Sequence, residues 1–137
     1  MTDNIDIRSA TEKDIPILQK LQADNVPEAD GTAWTEYDWL TNIHGGFNFV
    51  AESGGRIVGY ICGERLLGDG AVLHFLIMEE RYRSGKISLA LFSHFERLLK
   101  DDGVKWYLTY ARPRVAAFLE KRGAFVGEEY AEVLKYL

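Results

Sequence analysis

The chain contains a single cysteine, Cys62, among its 137 residues. One cysteine cannot form an internal disulfide, which excludes the class of small secreted domains that disulfides hold together. A lone cysteine is instead typical of a protein in the reducing cytoplasm, and we predict a cytoplasmic location. Cys62 lies in an apolar segment, so we interpret it as a core residue rather than a nucleophile.

Other absences narrow the class of protein further. No apolar stretch approaches the roughly 20 residues that a membrane-spanning helix needs, and the polar N-terminus does not resemble a signal peptide. A net charge of −5 argues against general binding of nucleic acid. His44 and His94 have no partner at metal-ligand spacing, so we predict no metal. We therefore expect neither nucleic acid, membrane nor metal ion as a partner.

What the chain does have is enough apolar sequence for one core. Its composition is 47% hydrophobic, and a length of 137 residues falls in the usual range of roughly 100–200 residues for one domain. No linker, repeat or low-complexity tract divides it. We therefore predict a single domain spanning residues 1–137.

The most informative segment is a strand, a short basic turn and a helix in succession. Val72 to Met78 is an apolar run that predicts a buried strand, and the helix after the turn is amphipathic. Its apolar positions are Ile87, Leu91, Phe92, Phe95, Leu98 and Leu99. This order exposes backbone N–H groups at a helix N-terminus, where the helix dipole also favours an anion. The turn carries Arg83 and Lys86, so a di- or polyphosphate ligand is expected; a simple helix cap with two solvated cations is the alternative.

The turn lacks two common phosphate-binding motifs. It has neither the G-x-x-x-x-G-K-[ST] loop of nucleotide triphosphatases nor the G-x-G-x-x-G of dinucleotide folds. It resembles instead the pyrophosphate loop of the GCN5-related N-acetyltransferases (GNAT family), roughly [Q/R]-x-x-G-x-[G/A]. Lys86 replaces the central glycine, Ser88 replaces the final small residue, and Gly85 comes one residue early. This departure is similar to a variant, Arg-Gly-Gly-Arg-Ile-Gly, that is associated with phage and prophage members.

The resemblance extends over nearly the whole chain. Alternating segments on both sides of Ser53-Gly54-Gly55 predict a hairpin where the family has one, and Trp106 to Ala111 predicts a later strand. A helix is expected to begin at Pro113 and to end near Gly123, and residues 132–137 alternate as a final strand. The resemblance implies an α/β fold: a mixed central sheet of six to seven strands, flanked by about four helices. The strands from Val72 and from Trp106 are expected to lie parallel and then splay apart around the pantetheine arm of coenzyme A.

The resemblance also implies a cofactor site for acetyl-CoA, the co-substrate of the family. The residues expected to bind it lie at the end of the strand, in the turn and at the start of the helix, with one further basic residue after the later strand. They are Met78, Glu80, Arg83, Ser84, Gly85, Lys86, Ile87, Ser88 and Arg112.

Transfer of an acetyl group to an amine requires a base, because the amine must lose a proton before it attacks. His74 is the candidate base, since histidine titrates near neutral pH without special tuning; a buried histidine hydrogen-bonded in the core is the alternative. Period-two alternation predicts that His74 shares a face with Val72, Leu76 and Met78. The tyrosine that often serves as general acid in the family is replaced by Leu119, and Tyr110 is the candidate substitute.

A loop leads into a short predicted helix at residues 35–42, for which Thr35 is the expected cap, and this region is aromatic. In the family this region often borders the acceptor pocket, so Trp34 and Tyr37 are candidate substrate contacts, although such aromatic side chains also pack commonly in cores. The predicted function is N-acetyl transfer from acetyl-CoA to a primary amine of a small molecule or protein, by a monomer or homodimer. A noncatalytic module that binds CoA or a protein partner is the alternative, and the sequence leaves the acceptor undefined.

Overall fold

The structure is a computed structural model and describes residues 4–26, 34–83, 85–111, 113–127 and 135. Across these residues the strands and α-helices are, in chain order, β1 (Ile5–Ser9), α1 (Ile15–Asn25), α2 (Glu36–Gly45), β2 (Phe47–Ser53), β3 (Arg56–Arg65), β4 (Gly70–Met78), α3 (Lys86–Asp101), β5 (Trp106–Leu108) and α4 (Pro113–Lys121). Short 3₁₀ helices precede α1 at Glu12–Asp14 and follow β4 at Glu80–Tyr82.

Local sequence signals set several of these boundaries. Thr35 caps α2 in a capping box: its hydroxyl accepts from the Asp38 N–H, and the Asp38 carboxylate accepts from the Thr35 N–H at 2.8 Å. The hairpin between β2 and β3 turns at Gly54 and Gly55, whose φ angles of 58° and 78° suit glycine. Both the hairpin and the capped helix were predicted, and both are confirmed.

The sheet has the order β1-β2-β3-β4-β5, with antiparallel pairing from β1 to β4 and parallel pairing between β4 and β5. The mixed sheet and the four α-helices are confirmed within the described residues. The prediction of six to seven strands was wrong for this part of the chain, which forms five strands. The expected final strand, at residues 132–137, lies outside the described residues except for Lys135.

Two hydrophobic cores lie on opposite faces of the sheet. On one face α3 packs through Leu91, Phe92 and Phe95, together with Leu119 of α4. On the other face α1 and α2 pack through residues that include Leu18 and Trp39. The predicted apolar stripe of α3 is therefore buried as expected, and the sheet is covered by helices on both sides.

The pairing of β3 with β4 is interrupted by one extra residue. Cys62 lies opposite Phe75 and Gly63 lies opposite Leu73, which leaves His74 without a partner and makes it the extra residue of a β-bulge. Gly63 allows the close approach at this point. A Cβ at position 63 would lie 2.2 Å from the Val72 carbonyl oxygen and 2.8 Å from Cζ of Phe95, so a side chain there forces the backbone to move.

We expect Gly63→Ala to lower the free energy of unfolding by about 1–3 kcal/mol, because the added methyl group overlaps backbone and a buried ring. Gly45→Ala is the matched control: position 45 is helical and has open space around its would-be Cβ. The control is expected to be neutral or slightly stabilising. Chemical denaturation of the two variants compares them, and equal stabilities would contradict a close-packed bulge.

Candidate active site

His74 lies on the surface of β4 that faces α1 and α2. The bulge shifts the alternation of the strand: Leu73 packs in the core on the α3 side, whereas Phe75 packs on the α1/α2 side. Both His74 and Phe75 contact the indole of Trp34: the centroid of the Trp34 ring lies 5.4 Å from that of His74 and 4.9 Å from that of Phe75. The prediction that His74 shares a face with Leu76 and Met78 was therefore wrong, because period-two alternation does not hold across an inserted residue.

The imidazole of His74 is held by an acidic neighbour. Its Nε2 lies 3.0 Å from Oε1 of Glu64, on the adjacent strand β3. A carboxylate only accepts hydrogen bonds, so in the neutral imidazole Nε2 carries the hydrogen and Nδ1 keeps its lone pair. The side chain of His74 is partly exposed, so it is not the buried core histidine that the sequence left as an alternative. In this arrangement the neutral imidazole has a proton-accepting nitrogen, Nδ1, that is not engaged with Glu64.

A half-open cavity of about 190 Å³ lies beside His74. Its walls come from the start of α2 and from the two strands that form the bulge. They are Trp34, Tyr37, Asp38, Thr41, Asn42, Glu64 and His74. The structure thus brings the candidate substrate contacts Trp34 and Tyr37 to the same cavity as the candidate base.

A buried polar network supports the floor of this cavity. Asn42 donates to the Gly63 carbonyl at 3.2 Å, and Asn48 donates to the Asn42 carbonyl at 2.7 Å. Tyr60 donates to Oδ1 of Asn48, and burial raises the pKa of Tyr60 far above its usual value, so it stays a neutral donor. The network ties α2 to the strand that carries Glu64 and so fixes the cavity walls.

Cys62 lies close to this network but does not take part in chemistry. It is fully buried, and burial raises the pKa of the thiol to about 12. Because a nucleophilic cysteine must be a thiolate, Cys62 serves as a core residue, as interpreted from the sequence.

The expected cofactor loop leads into an uncapped helix. Gly85, with a φ of 103°, precedes Lys86 at the start of α3 and has no side chain that could cap it. The first helical hydrogen bond that the structure describes runs from the Leu89 N–H to the Gly85 carbonyl at 2.9 Å. The N–H groups of residues 86–88 come before it and point toward the helix N-terminus, which is the anion-binding arrangement expected from the sequence.

The remaining candidate cofactor residues have distinct surroundings. Met78 and Ile87 are buried in the core, whereas Glu80 and Lys86 are exposed. Arg83 donates from Nε to the Met78 carbonyl at 3.2 Å and from Nη2 to Oδ1 of Asn25 at 2.9 Å. These bonds tie the loop to the end of α1. Ser84 and Arg112 lie outside the described residues.

Strands β4 and β5 lie parallel, as predicted, but pair over only three residues of each strand. Their parallel pairing ends at Val72 and Leu108, and Thr109 then donates through its hydroxyl to the Leu73 carbonyl at 3.0 Å. Beyond that point β4 continues to Met78 with no strand partner on this edge among the described residues. Strand β5 is shorter than the predicted segment from Trp106 to Ala111, because its pairing with β4 ends at Leu108.

Leu119, which replaces the usual acid, and Tyr110, the candidate substitute, have very different surroundings. Leu119 is 6% exposed and packs in the core on the α3 side, while Tyr110 is 85% exposed beyond the end of β5. Within the described part of the chain Tyr110 makes no hydrogen bond, so no contact there fixes its hydroxyl.

Sequence reasoning missed Glu64, the partner of His74. A signal was present: Glu64 and Arg65 follow a run of apolar residues in the second strand of the predicted hairpin. The neighbour relation between Glu64 and His74 depends on the register of β3 against β4, which no local pattern specifies. Sequence reasoning also missed that Asp38 lines the cavity, because the role of Asp38 in the cap of α2 already explains an acidic residue at this position.

Comparison with known proteins identifies the family. The sequence model of the acetyltransferase (GNAT) family matches residues 15–124, so the chain belongs to this family. The predicted class, an acetyl-CoA-dependent N-acetyltransferase, and acetyl-CoA as its co-substrate are confirmed at the level of the family. No curated protein shows significant sequence similarity to the chain.

Solved structures share the fold at low sequence identity. PaiA N-acetyltransferase from Thermoplasma acidophilum, in complex with coenzyme A, has a TM-score of 0.76 and 17% identity over 93% of both chains. The ribosomal-protein-S18-alanine N-acetyltransferase from Escherichia coli has a TM-score of 0.73 and 19% identity, over 88% of this chain and 77% of that one. An aminoglycoside acetyltransferase from an uncultured soil metagenomic sample, in complex with sisomicin, has a TM-score of 0.74 and 14% identity, over 97% of this chain and 96% of that one.

We expect acetyl-CoA to raise the melting temperature of the protein, because a ligand that binds only the folded state stabilises it. Ser88→Pro should weaken this binding roughly tenfold or more, since it removes one N–H donor to a charged phosphate. Proline is tolerated in the first turn of a helix, and Ser88→Ala, which keeps the N–H, is the matched control. Calorimetric titration of acetyl-CoA measures both variants; equal affinities would show that the start of α3 does not hold the phosphates.

Proposed function

We propose that the protein transfers the acetyl group of acetyl-CoA to a primary amine that enters the cavity beside His74. The pair formed by His74 and Glu64 is the observation that carries this assignment. The cavity is lined by Glu64 of β3 and His74 of β4, and the other edge of β4, toward β5, has no strand partner beyond Val72 among the described residues. An amine and a thioester can therefore approach the same strand from two directions.

In this mechanism Nδ1 of His74 accepts a proton from the incoming ammonium or amine, directly or through a water molecule. The nitrogen lone pair then attacks the thioester carbonyl carbon, forming the C–N bond and placing negative charge on the oxygen. Backbone N–H groups of β4 near the bulge are the donors proposed to stabilise this oxyanion. The nitrogen, which became positively charged in the attack, then loses its second proton to solvent. Collapse of the intermediate breaks the C–S bond and releases coenzyme A as a thiolate, which takes up a proton from solvent.

The pyrophosphate of acetyl-CoA is assigned to the loop from Arg83 to Ser88, the variant loop similar to those of phage and prophage members. The uncapped N–H groups at the start of α3 and the ammonium group of Lys86 support this placement. Arg83 acts there chiefly by positioning the loop, because its guanidinium is bonded to Met78 and Asn25. Because Leu119 cannot donate a proton, the Tyr110 hydroxyl is the side-chain donor that we propose for the departing sulfur, with solvent as the other source of that proton.

The proposal includes a cytoplasmic location and a monomeric or homodimeric protein that binds neither nucleic acid nor membranes. The buried thiol of Cys62 and the net charge of −5 support it. In the described residues no helix is both long and apolar enough to cross a membrane.

Release of free CoA thiol tests the activity itself. Acetyl-CoA is incubated with the protein and a panel of primary amines and peptides, and mass spectrometry identifies the acetylated product. We expect thiol release that requires both the protein and an amine. If acetyl-CoA binds but no amine in the panel is acetylated, the chain is a CoA-binding module and the proposal is wrong.

His74→Ala is expected to reduce kcat by roughly 10²–10⁴-fold while leaving the affinity for acetyl-CoA unchanged. Steady-state kinetics and titration of acetyl-CoA measure the two quantities, and a loss of stability equal to the loss of activity would instead indicate a structural role.

Glu64→Ala should lower kcat because the imidazole loses its fixed tautomer. Glu64→Gln should retain most of the activity, since an amide oxygen still accepts from Nε2. Equal losses in both Glu64 variants would show that Glu64 does not act by orienting His74.

A further inference from the structure

Among the residues that the structure describes, the walls of the cavity beside His74 carry acidic side chains and neither lysine nor arginine. Among its seven lining residues Asp38 and Glu64 are acidic, and none is lysine or arginine. Trp34 and Tyr37 add aromatic rings, whose faces attract cations. Tyr37 is 76% exposed and stands at the rim. The chemistry of the walls therefore favours a cationic ligand over a neutral or anionic one.

Asp38 has a carboxylate that is fixed in place and only partly used. Its Oδ2 accepts from the Thr35 N–H at 2.8 Å and from the Thr35 hydroxyl at 3.0 Å. Within the described residues Oδ1 accepts no hydrogen bond, and Asp38 forms no ion pair. A carboxylate that the helix cap already orients loses little freedom when it binds a second cation. Glu64, by contrast, is engaged with His74.

The size of the cavity limits the acceptor. About 190 Å³ is below the roughly 300–1,000 Å³ of typical ligand pockets. A short aliphatic amine fits this volume.

We propose that the acceptor is a small aliphatic amine carrying a second ammonium group, with Asp38 as the residue that selects it. This inference rests on the proposed function. One nitrogen loses its proton near His74 and attacks the thioester, while the other stays protonated between the Asp38 carboxylate and the aromatic rim. The net charge of −5 also favours approach of a cation.

The test compares diaminobutane with butylamine, which has the same carbon chain but no second ammonium. We expect kcat/KM for the diamine to exceed that for the monoamine by roughly tenfold or more, the effect of one charge-assisted hydrogen bond. Phenethylamine serves as an aromatic monoamine, and a lysine-containing peptide represents protein acceptors. Titration of each amine into the complex with CoA measures binding independently of turnover.

Asp38→Asn should reduce the preference for diaminobutane to near unity, because the amide keeps the cap to Thr35 but lacks the charge. Glu36→Gln is the matched control: Glu36 lies in the same helical turn and does not line the cavity, so this variant should keep the wild-type preference. Similar melting temperatures for the two variants would show that both retain the cap.

Different outcomes distinguish a wrong acceptor assignment from a wrong assignment of acetyl transfer itself. If the protein acetylates butylamine or phenethylamine as well as the diamine, or if Asp38→Asn keeps the preference, the acceptor assignment is overturned while acetyl transfer stands. If no amine is acetylated or bound although acetyl-CoA binds, both the assignment and the proposed function are overturned.

Discussion

The contact between Gly63 and the carbonyl oxygen of Val72 is the constraint on which the site depends. Only a residue without a Cβ allows β3 and β4 to approach this closely next to an inserted residue. The insertion places His74 and Phe75 on the same side of the sheet, where Trp34 packs against both. Without the bulge, continued alternation would direct one of the two side chains toward α3.

Strand β4 is irregular along both edges, and the two irregularities have different consequences. Along the edge toward β3, the bulge presents the imidazole to Glu64 and to the cavity. Along the edge toward β5, pairing stops after Val72 and the backbone of β4 continues without a partner among the described residues. A regular central strand would have satisfied both edges and left no backbone donors for a ligand. The departures from regular pairing are thus concentrated where we propose that the two substrates meet.

The parts of the fold that were predicted correctly have short-range causes. The turn at Gly54 and Gly55, the cap at Thr35 and the apolar stripe of α3 each depend on a few neighbouring residues, and each agrees with the structure. The face of β4 that carries His74 was predicted wrongly, because one inserted residue reverses every later position of a strand. The pairing of Glu64 with His74 depends on strand register, which the sequence does not reveal locally. The family resemblance supplied the order of the elements but not these contacts.

The replacement of the usual tyrosine by Leu119 fits the different needs of the two groups that exchange protons. An alkyl ammonium has a pKa of about 10.4, so near neutral pH the acceptor lacks a free lone pair and a base is required. A thiol has a pKa of about 8.5, so the departing thiolate is a stable leaving group that solvent can protonate. Leu119 instead contributes apolar area to the core beside α3. In the mechanism that we propose, His74 therefore supplies the base that the attack requires, whereas the departing thiolate does not require an acid at the position of Leu119.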